Sequence, residues 1–335
     1  MPTVPITRRD ALRAGVTTGV VAALAAPQLL RAGATEPIKI IPTTPPREGK
    51  PFRIAHLTDM HITEKYDAQA GFAAALKSLE KIDPPPQFVI TGGDHIMDAL
   101  VTTRERAIEQ WDMYEKIVRD ATKLKRYPVI GNHDVWGWSA KEQDYSAEKD
   151  FGKPIAVDRL GLKDRYYAFD AGGWHFVMLD NIQPRDRGYY GGFDDDQQAW
   201  LEKDLAKNMT GERLPVCIVT HIPLCAISPF YFAKGGENGE NFYRTTDNLL
   251  HHDAKALLRQ LAANNVKLCI AGHTHMLDRV DYLGISFVCD GAVSGNWWGG
   301  PYQDFQEGYG VFDLYPNGAF DHRYIDYGWK SVKET

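Results

Sequence analysis

Only four cysteines occur in 335 residues, and no two of them form a C-x-x-C pair. That excludes a zinc ribbon and a thioredoxin-type redox motif. Cys217, Cys269 and Cys289 lie in apolar runs and read as buried thiols, Cys225 falls in a loop, and all four are read as structural. Long hydrophobic runs are equally scarce. The most apolar stretch, Ala14 to Ala26, is too short and too rich in Gly and Thr to span a bilayer, so no stable membrane insertion is expected. Positive charge is in short supply as well. The formal net charge is −6, and the first 34 residues hold four Arg against one Asp, so the remainder carries −9. A body that acidic has little to offer the phosphates of a nucleic-acid duplex, which is excluded as a partner. Hydrophobic residues at 44% and charged residues at 24% are ordinary globular usage and exclude disorder, collagen and coiled coil.

The N-terminus reads as an address. Thr7-Arg8-Arg9-Asp10-Ala11-Leu12-Arg13, the apolar run behind it and the small-residue site Ala32-Gly33-Ala34 describe a cleavable export signal over residues 1–34. The Arg8–Arg9 pair and the modest hydrophobicity resemble a twin-arginine signal, whose partner is the machinery that exports folded proteins. A general secretory signal is the alternative. Either way the mature chain is expected in the periplasm or outside the cell. Residues 35–50, with Pro42, Pro45 and Pro46, read as an extended lead-in.

From residue 51 to 335 short apolar runs alternate with helical periodicity. Strands are predicted at Phe52–Thr58, Phe88–Ile90, Tyr127–Ile130, Val216–Val219 and Lys267–Ile270, and helices over 69–82, 103–124, 194–207 and 252–264. Asp194 is a candidate N-cap. Ala171-Gly172-Gly173 predicts a hairpin between strands near Tyr166–Phe169 and His175–Leu179. A second hairpin, at Pro316-Asn317-Gly318, falls in a C-terminal extension with strand patterns alone. The alternation predicts one α/β domain with a mostly parallel, mixed sheet system and helices outside.

Five polar clusters each follow a predicted strand: Asp59-Met60-His61, Gly93-Asp94, Gly131-Asn132-His133-Asp134, His221, and Gly272-His273-Thr274-His275. In open α/β sheets ligands bind beyond the carboxyl ends of strands. Strand alternation aims residues i and i+2 the same way, so Asp59 with His61, and His273 with His275, are each set to grip one point. Two Asp, one Asn and four imidazoles form a mixed N/O donor set that suits Mn, Fe or Zn better than Ca or Mg. The set exceeds what one such ion needs. A second metal follows, with the Asp94 carboxylate as the bridge.

The ordered pattern D-x-H, G-D, G-N-H-D, H, G-H-x-H resembles the calcineurin-like metallophosphoesterase superfamily from Phe52 to about Asp290. The resemblance implies a four-layer α-β-β-α sandwich with two mixed β-sheets. It implies one metal held by Asp59, His61, Asp94 and His275, and another by Asp94, Asn132, His221 and His273. His133 points towards substrate as the catalytic histidine, and Asp134 orients its ring. The implied chemistry is hydrolysis of a small phosphodiester or phosphomonoester by a metal-bridging hydroxide, with His133 stabilising charge or protonating the leaving oxygen. Folding before export favours Mn or Fe, with Zn as the further option. The alternatives are a dinuclear hydrolase of a non-phosphate bond and a non-catalytic binding module on the same fold.

The chain departs from that family where many members carry an Asp three residues after the bridge. Met97 stands there, and Asp98 comes one later. Purple members use a tyrosine ligand in this region, so no purple colour is expected. Candidate substrate contacts are His95, Trp136, Arg244 and Trp297; a plainly hydrogen-bonded His95 is the alternative for that residue. Substrate preference is expected to reside in the insertions around these residues and in 181–192.

Overall fold

The apolar runs predicted as strands lack a polar face because both of their faces are covered. The computed structural model describes residues 45–231, 234–235 and 243–332. The stretch predicted as an export signal, residues 1–34, and residues 35–44 of the predicted lead-in lie outside the described residues. In the first sheet, β1 (Phe52–Leu57), β2 (Val89–Thr91) and β3 (Arg126–Pro128) run parallel. β14 (Gly308–Leu314) pairs antiparallel with β1, and β15 (Phe320–Asp326) with β14, giving the order β15-β14-β1-β2-β3.

The second sheet has the order β12-β13-β11-β8-β5-β4. Its parallel centre is β5 (Trp174–Met178), β8 (Val216–Val219), β11 (Val266–Ala271) and β13 (Ile285–Cys289). The edges β4 (Tyr167–Ala171) and β12 (Asp278–Tyr282) are antiparallel. Two small hairpins, β6 (Ile182–Arg185) with β7 (Gly188–Gly191) and β9 (Lys234–Gly235) with β10 (Tyr243–Arg244), stand apart.

Side chains of one strand alternate between layers. In β8, Cys217 and Val219 face the first sheet with Ile54, Ile90 and Phe312, while Val216 and Ile218 face the helices. In β1, Ile54 joins the core between the sheets, whereas Ala55 and Leu57 turn outward. There α1 (Ala68–Ser78) and α2 (Arg104–Ala121) cover them with Phe72, Leu76, Trp111 and Val118. On the far side α4 (Asp195–Thr210) and α6 (Ala254–Ala263) bring Leu201, Leu205, Leu257 and Leu261. The result is the expected four-layer α-β-β-α sandwich with two mixed sheets.

The helix starts follow their caps. The Asp194 carboxylate accepts from the Gln197 amide at 2.9 Å, and the Thr103 hydroxyl from that of Arg106 at 3.3 Å. Both predicted hairpins are present, at Gly172–Gly173 and between β14 and β15. The β6–β7 hairpin and the short helix α3 (Pro154–Arg159) were not anticipated. Pro184 and Arg185 interrupt any apolar alternation in β6, and six residues are too few for helical periodicity to register. A single turn, α5 (Ser228–Tyr231), follows β8. Among the described residues no helix is long and apolar enough to cross a membrane.

A buried charge cluster ties the sheets together beneath the ligand-bearing loops. The Asp290 carboxylate, just after β13, meets His56 Nδ1 of β1 at 2.7 Å and His322 Nε2 of β15 at 2.8 Å. Burial opposes its ionisation, yet His322 and His56 hold its pKa down to about 2, below the ordinary 3.8. A depressed carboxyl contributes stability above its unfolded value and loses it as pH falls towards the folded one. This part of the stability is therefore expected to fade between pH 4 and 2. Asp290→Ala should cost about 3–5 kcal/mol at neutral pH, because it strands two buried imidazoles. An unchanged urea midpoint would refute that.

Candidate metal centre

The parallel strands β1, β2 and β3 end on one side of their sheet, and β8 and β11 end on the matching side of theirs. Asp59, His61, Asp94, Asn132 and His133 come from loops after the first three strands; His221, His273 and His275 follow the other two. The site is thus built across the joint between the sheets. Strand alternation does not place the paired ligands, contrary to expectation. β1 stops at Leu57 and β11 at Ala271, and the residues beyond turn left-handed, with φ of 55° at Asp59, 44° at His61, 73° at His273 and 57° at His275. Such a conformation is costly for non-glycine residues and persists only where neighbours fix it. Here the Asp59 amide donates to the Gly93 carbonyl at 3.1 Å and that of His61 to the Asp94 carbonyl at 3.0 Å. Gly272 has no room for a side chain: a Cβ there would lie 2.0 Å from Thr58 Oγ1 and 2.4 Å from Asp59 Oδ2.

Three groups of ligating atoms gather among the described residues; one is His61, Asp94 and His133, and the other two match the predicted metal positions. The ligating atoms of Asp59, His61 and His275 lie within 4.8 Å of one another, as do those of Asp94, His221 and His273. Asp94 links the groups, with Oδ2 3.7 Å from His61 Nε2 and 3.2 Å from His221 Nε2. Asn132 Oδ1 stands 3.1 Å from His221 Nε2 and completes the second group.

Each imidazole has one nitrogen committed to a backbone carbonyl. His61 Nδ1 faces Met97 O at 3.4 Å, His275 Nδ1 faces Gly295 O at 2.6 Å, His221 Nδ1 faces Gly92 O at 2.8 Å and His273 Nε2 faces Asn248 O at 2.8 Å. A carbonyl accepts only, so in each neutral ring that nitrogen carries the proton. The other nitrogen then presents a lone pair, and these lone pairs face each other: His61 Nε2 to His275 Nε2 at 3.0 Å, His221 Nε2 to His273 Nδ1 at 3.2 Å. Converging lone pairs repel unless a cation lies between them. Asp59 Oδ1 is buried with no hydrogen-bond partner among the described residues, which adds an unspent anionic donor. On both counts the residues fit two metal ions, and the outward hydrogen bonds orient the rings as metal ligands require.

Electrostatics agree with a cation receptor. Burial opposes ionisation of Asp59 and Asp94, but the imidazoles of His275 and His221 hold both carboxyls well below their usual range. Burial also works against charge on His221, yet Asp94 pushes its pKa up to about 9, so that without a metal a proton on Nε2 is the cation that stands between it and His273. A metal and that proton compete for one site. Burial, then the neighbouring His221, pushes His273 down to about 4.

His133 sits at the rim. Its amide donates to Asp94 Oδ1 at 2.8 Å, its ring stands edge-on to His61 at 4.7 Å, and its side chain is 25% exposed. The expected Asp134 contact to its ring is absent. Asp134 instead accepts from the amides of Asp94 at 3.0 Å, His95 at 2.8 Å and Gly131 at 2.8 Å, and meets His95 Nδ1 at 2.9 Å. It is a fully buried knot that clamps the Asp94 loop to the Asn132 loop. The carboxylate near the catalytic candidate is Asp98, 3.8 Å from His133 Nδ1. Burial, only partly offset by His133, raises its pKa.

His95 is not a substrate contact. It is fully buried, with its second nitrogen 2.9 Å from Thr91 Oγ1. Trp136 is excluded on the same ground: it is buried and donates to Thr102 O at 3.1 Å. Arg244 lies on β10, whose side chains fall outside the described residues. Trp297 does reach the site. A cavity of 260 Å³ is lined by four of the donors, Asp94, Asn132, His273 and His275, together with His133, Tyr189, Leu249, Trp297 and Tyr302. A larger groove of 850 Å³ between α4 and α6 contains no triad of ligating groups among the described residues. Asp134→Asn is expected to weaken metal binding by about 10–100-fold, since the knot orients ligands rather than holding metal. Unchanged affinity in a metal titration would remove that role.

Comparison with known proteins agrees with the geometry. Over 257 residues the chain is 25% identical to a 3',5'-cyclic-nucleotide phosphodiesterase of Nostoc, covering 72% of this chain and 80% of that protein. It is 23% identical over 224 residues to the serine/threonine-protein phosphatase CPPED1 of Bos taurus, covering 65% and 63%. Against purple acid phosphatase 23 of Arabidopsis thaliana identity is 27% over 181 residues, which is 53% of this chain but only 34% of that one. Among solved structures, purple acid phosphatase PPD1 from yellow lupin superposes with a TM-score of 0.54 at 15% identity, over 86% of this chain and 54% of the other, and supports the fold. The family model for calcineurin-like phosphoesterases matches residues 52–277, more than half of the sequence, and the chain belongs to that family.

Proposed function

We propose that the chain is a metal-dependent phosphoesterase that hydrolyses a small phosphodiester or phosphomonoester after export from the cytoplasm. The observation that carries this reading is the convergence of the lone pairs of His61, His275, His221 and His273 on two carboxylates, with His133 at the rim of the cavity. When bound, two metal ions supply Lewis acidity and a water of lowered pKa. The chain's own groups do the rest. Asp59 and Asp94 fix the negative charge that holds the cations, and the backbone carbonyls keep the rings in one tautomer. His133 is placed to hold a proton beside the leaving oxygen, with Asp98 supporting its charge.

Relatives named as a phosphodiesterase and as phosphatases support phosphate chemistry without choosing between diester and monoester. The Arg8–Arg9 segment supports twin-arginine export to the periplasm or beyond. Folding before export supports manganese or iron as the ions, since the donor set itself accommodates zinc equally well.

Hydrolysis of bis-p-nitrophenyl phosphate against p-nitrophenyl phosphate, with manganese supplied, tests the reading. Turnover of the diester in preference to the monoester assigns a phosphodiesterase, and the reverse assigns a phosphatase. A protein that binds metal and cleaves neither these nor a panel of natural phosphate esters would refute it.

A further inference from the structure

We infer that the loop after β13 selects for esters carrying a planar organic substituent, with Trp297 as the specificity-determining residue. This deepens the phosphoesterase reading and rests on it. Residues 293–302 lie beyond the stretch that the family model matches. They nevertheless form part of the site.

The loop first straps the ligand-bearing backbone. The Val293 amide donates to Thr58 O at 3.0 Å, Ser294 Oγ to Asp59 O at 2.7 Å, and Trp298 Nε1 to Met60 O at 3.0 Å and His61 O at 3.1 Å. Gly295 O holds His275 Nδ1. Trp298 is fully buried against α1, where a Cβ on Gly71 would come within 2.3 Å of its ring.

Those straps hold two successive tryptophans left-handed, with φ of 47° at Trp297 and 72° at Trp298. Bulky residues adopt that conformation only when their surroundings over-determine it, and such strain clusters where ligands bind. Its effect is to send neighbouring rings in different directions, Trp298 into the core and Trp297 to the cavity. The Trp297 ring lies 4.5 Å from that of His275 and 5.7 Å from that of His61. Tyr302 meets it nearly at right angles, 5.7 Å away and with 84° between the planes. An aromatic corner therefore stands beside one donor group, on the wall of the cavity that His133 also lines. A planar substituent on a phosphorus centre held at the donors gains ring contact from this corner, and a small aliphatic one does not.

Calorimetric binding of phenylphosphonate and methylphosphonate to the manganese-supplied protein tests this, because the ligands share their charge and differ in the ring. The wild type should favour the phenyl ligand by about tenfold. Trp297→Phe should keep most of that preference, and Trp297→Leu, close to phenylalanine in bulk but not planar, should abolish it. Equal binding by the wild type, or a preference that survives in Trp297→Leu, would overturn the role of Trp297 and leave the phosphoesterase reading standing. Binding of neither phosphonate would count against that reading itself.

Discussion

Asparagine in place of Asp94 is expected to reduce hydrolysis of any phosphate ester by about a thousandfold or more and to lower metal content from two ions to one or none. The substitution keeps the shape of the side chain and an acceptor for the His133 amide, which donates to Oδ1 at 2.8 Å. It removes the charge shared between His61, 3.7 Å away, and His221, 3.2 Å away. Among the described residues no other carboxylate joins both donor groups, since Asp59 belongs to the first alone. Elemental analysis beside the rate measurement separates lost metal from lost chemistry. A variant that retained two ions and full turnover would show that Asp94 is not the bridge.

His133→Asn should behave differently. His133 shares no backbone-fixed tautomer with the ligand histidines, its Nδ1 has no hydrogen-bond partner among the described residues, and its ring is partly open to the cavity. Both metals should stay, while kcat falls by about 10²–10³-fold, the range of a lost proton donor or charge-stabilising group. The two roles separate by leaving group. A phenol of low pKa departs without a proton, so a donor's loss costs little with a nitrophenyl ester and much with an alkyl ester. Loss of charge stabilisation costs the same with both. A fall in metal content matching the fall in rate would make His133 a ligand instead, as its closeness to His61 and Asp94 permits.

The layers and the donor set were legible in the sequence because each left a local trace. Strands covered on both faces read as unbroken apolar runs, and each run was followed by a polar cluster containing glycine or histidine. The reason for the pairing of Asp59 with His61 was not legible. Left-handed turns beyond a strand look no different in sequence from a strand that continues, and the backbone contacts that stabilise them come from Gly93 and Asp94. The partner of His133 was misplaced for a related reason. Adjacency favoured Asp134, but the 3-10 turn over Asn132–Asp134 sends that carboxylate inward to three amides, leaving Asp98 from another loop beside the ring. Asn248, Gly295 and Met97, which orient ligand rings through their carbonyls, carried no signal, because every residue type has that group.

The pairing of β1 with β14 bears on how the chain is made. Residues 52–57 and 308–314 are neighbours in the first sheet, although most of the sequence separates them. During synthesis β1 and β2 can pair early, but the other edge of β1 has no strand to receive until the ribosome has passed residue 314. Contacts so distant in sequence slow folding, and an open edge is where nascent chains join one another. β14 and β15 thus cover the edge of β1 from which aggregation would start, and the ribosome makes them long after β1.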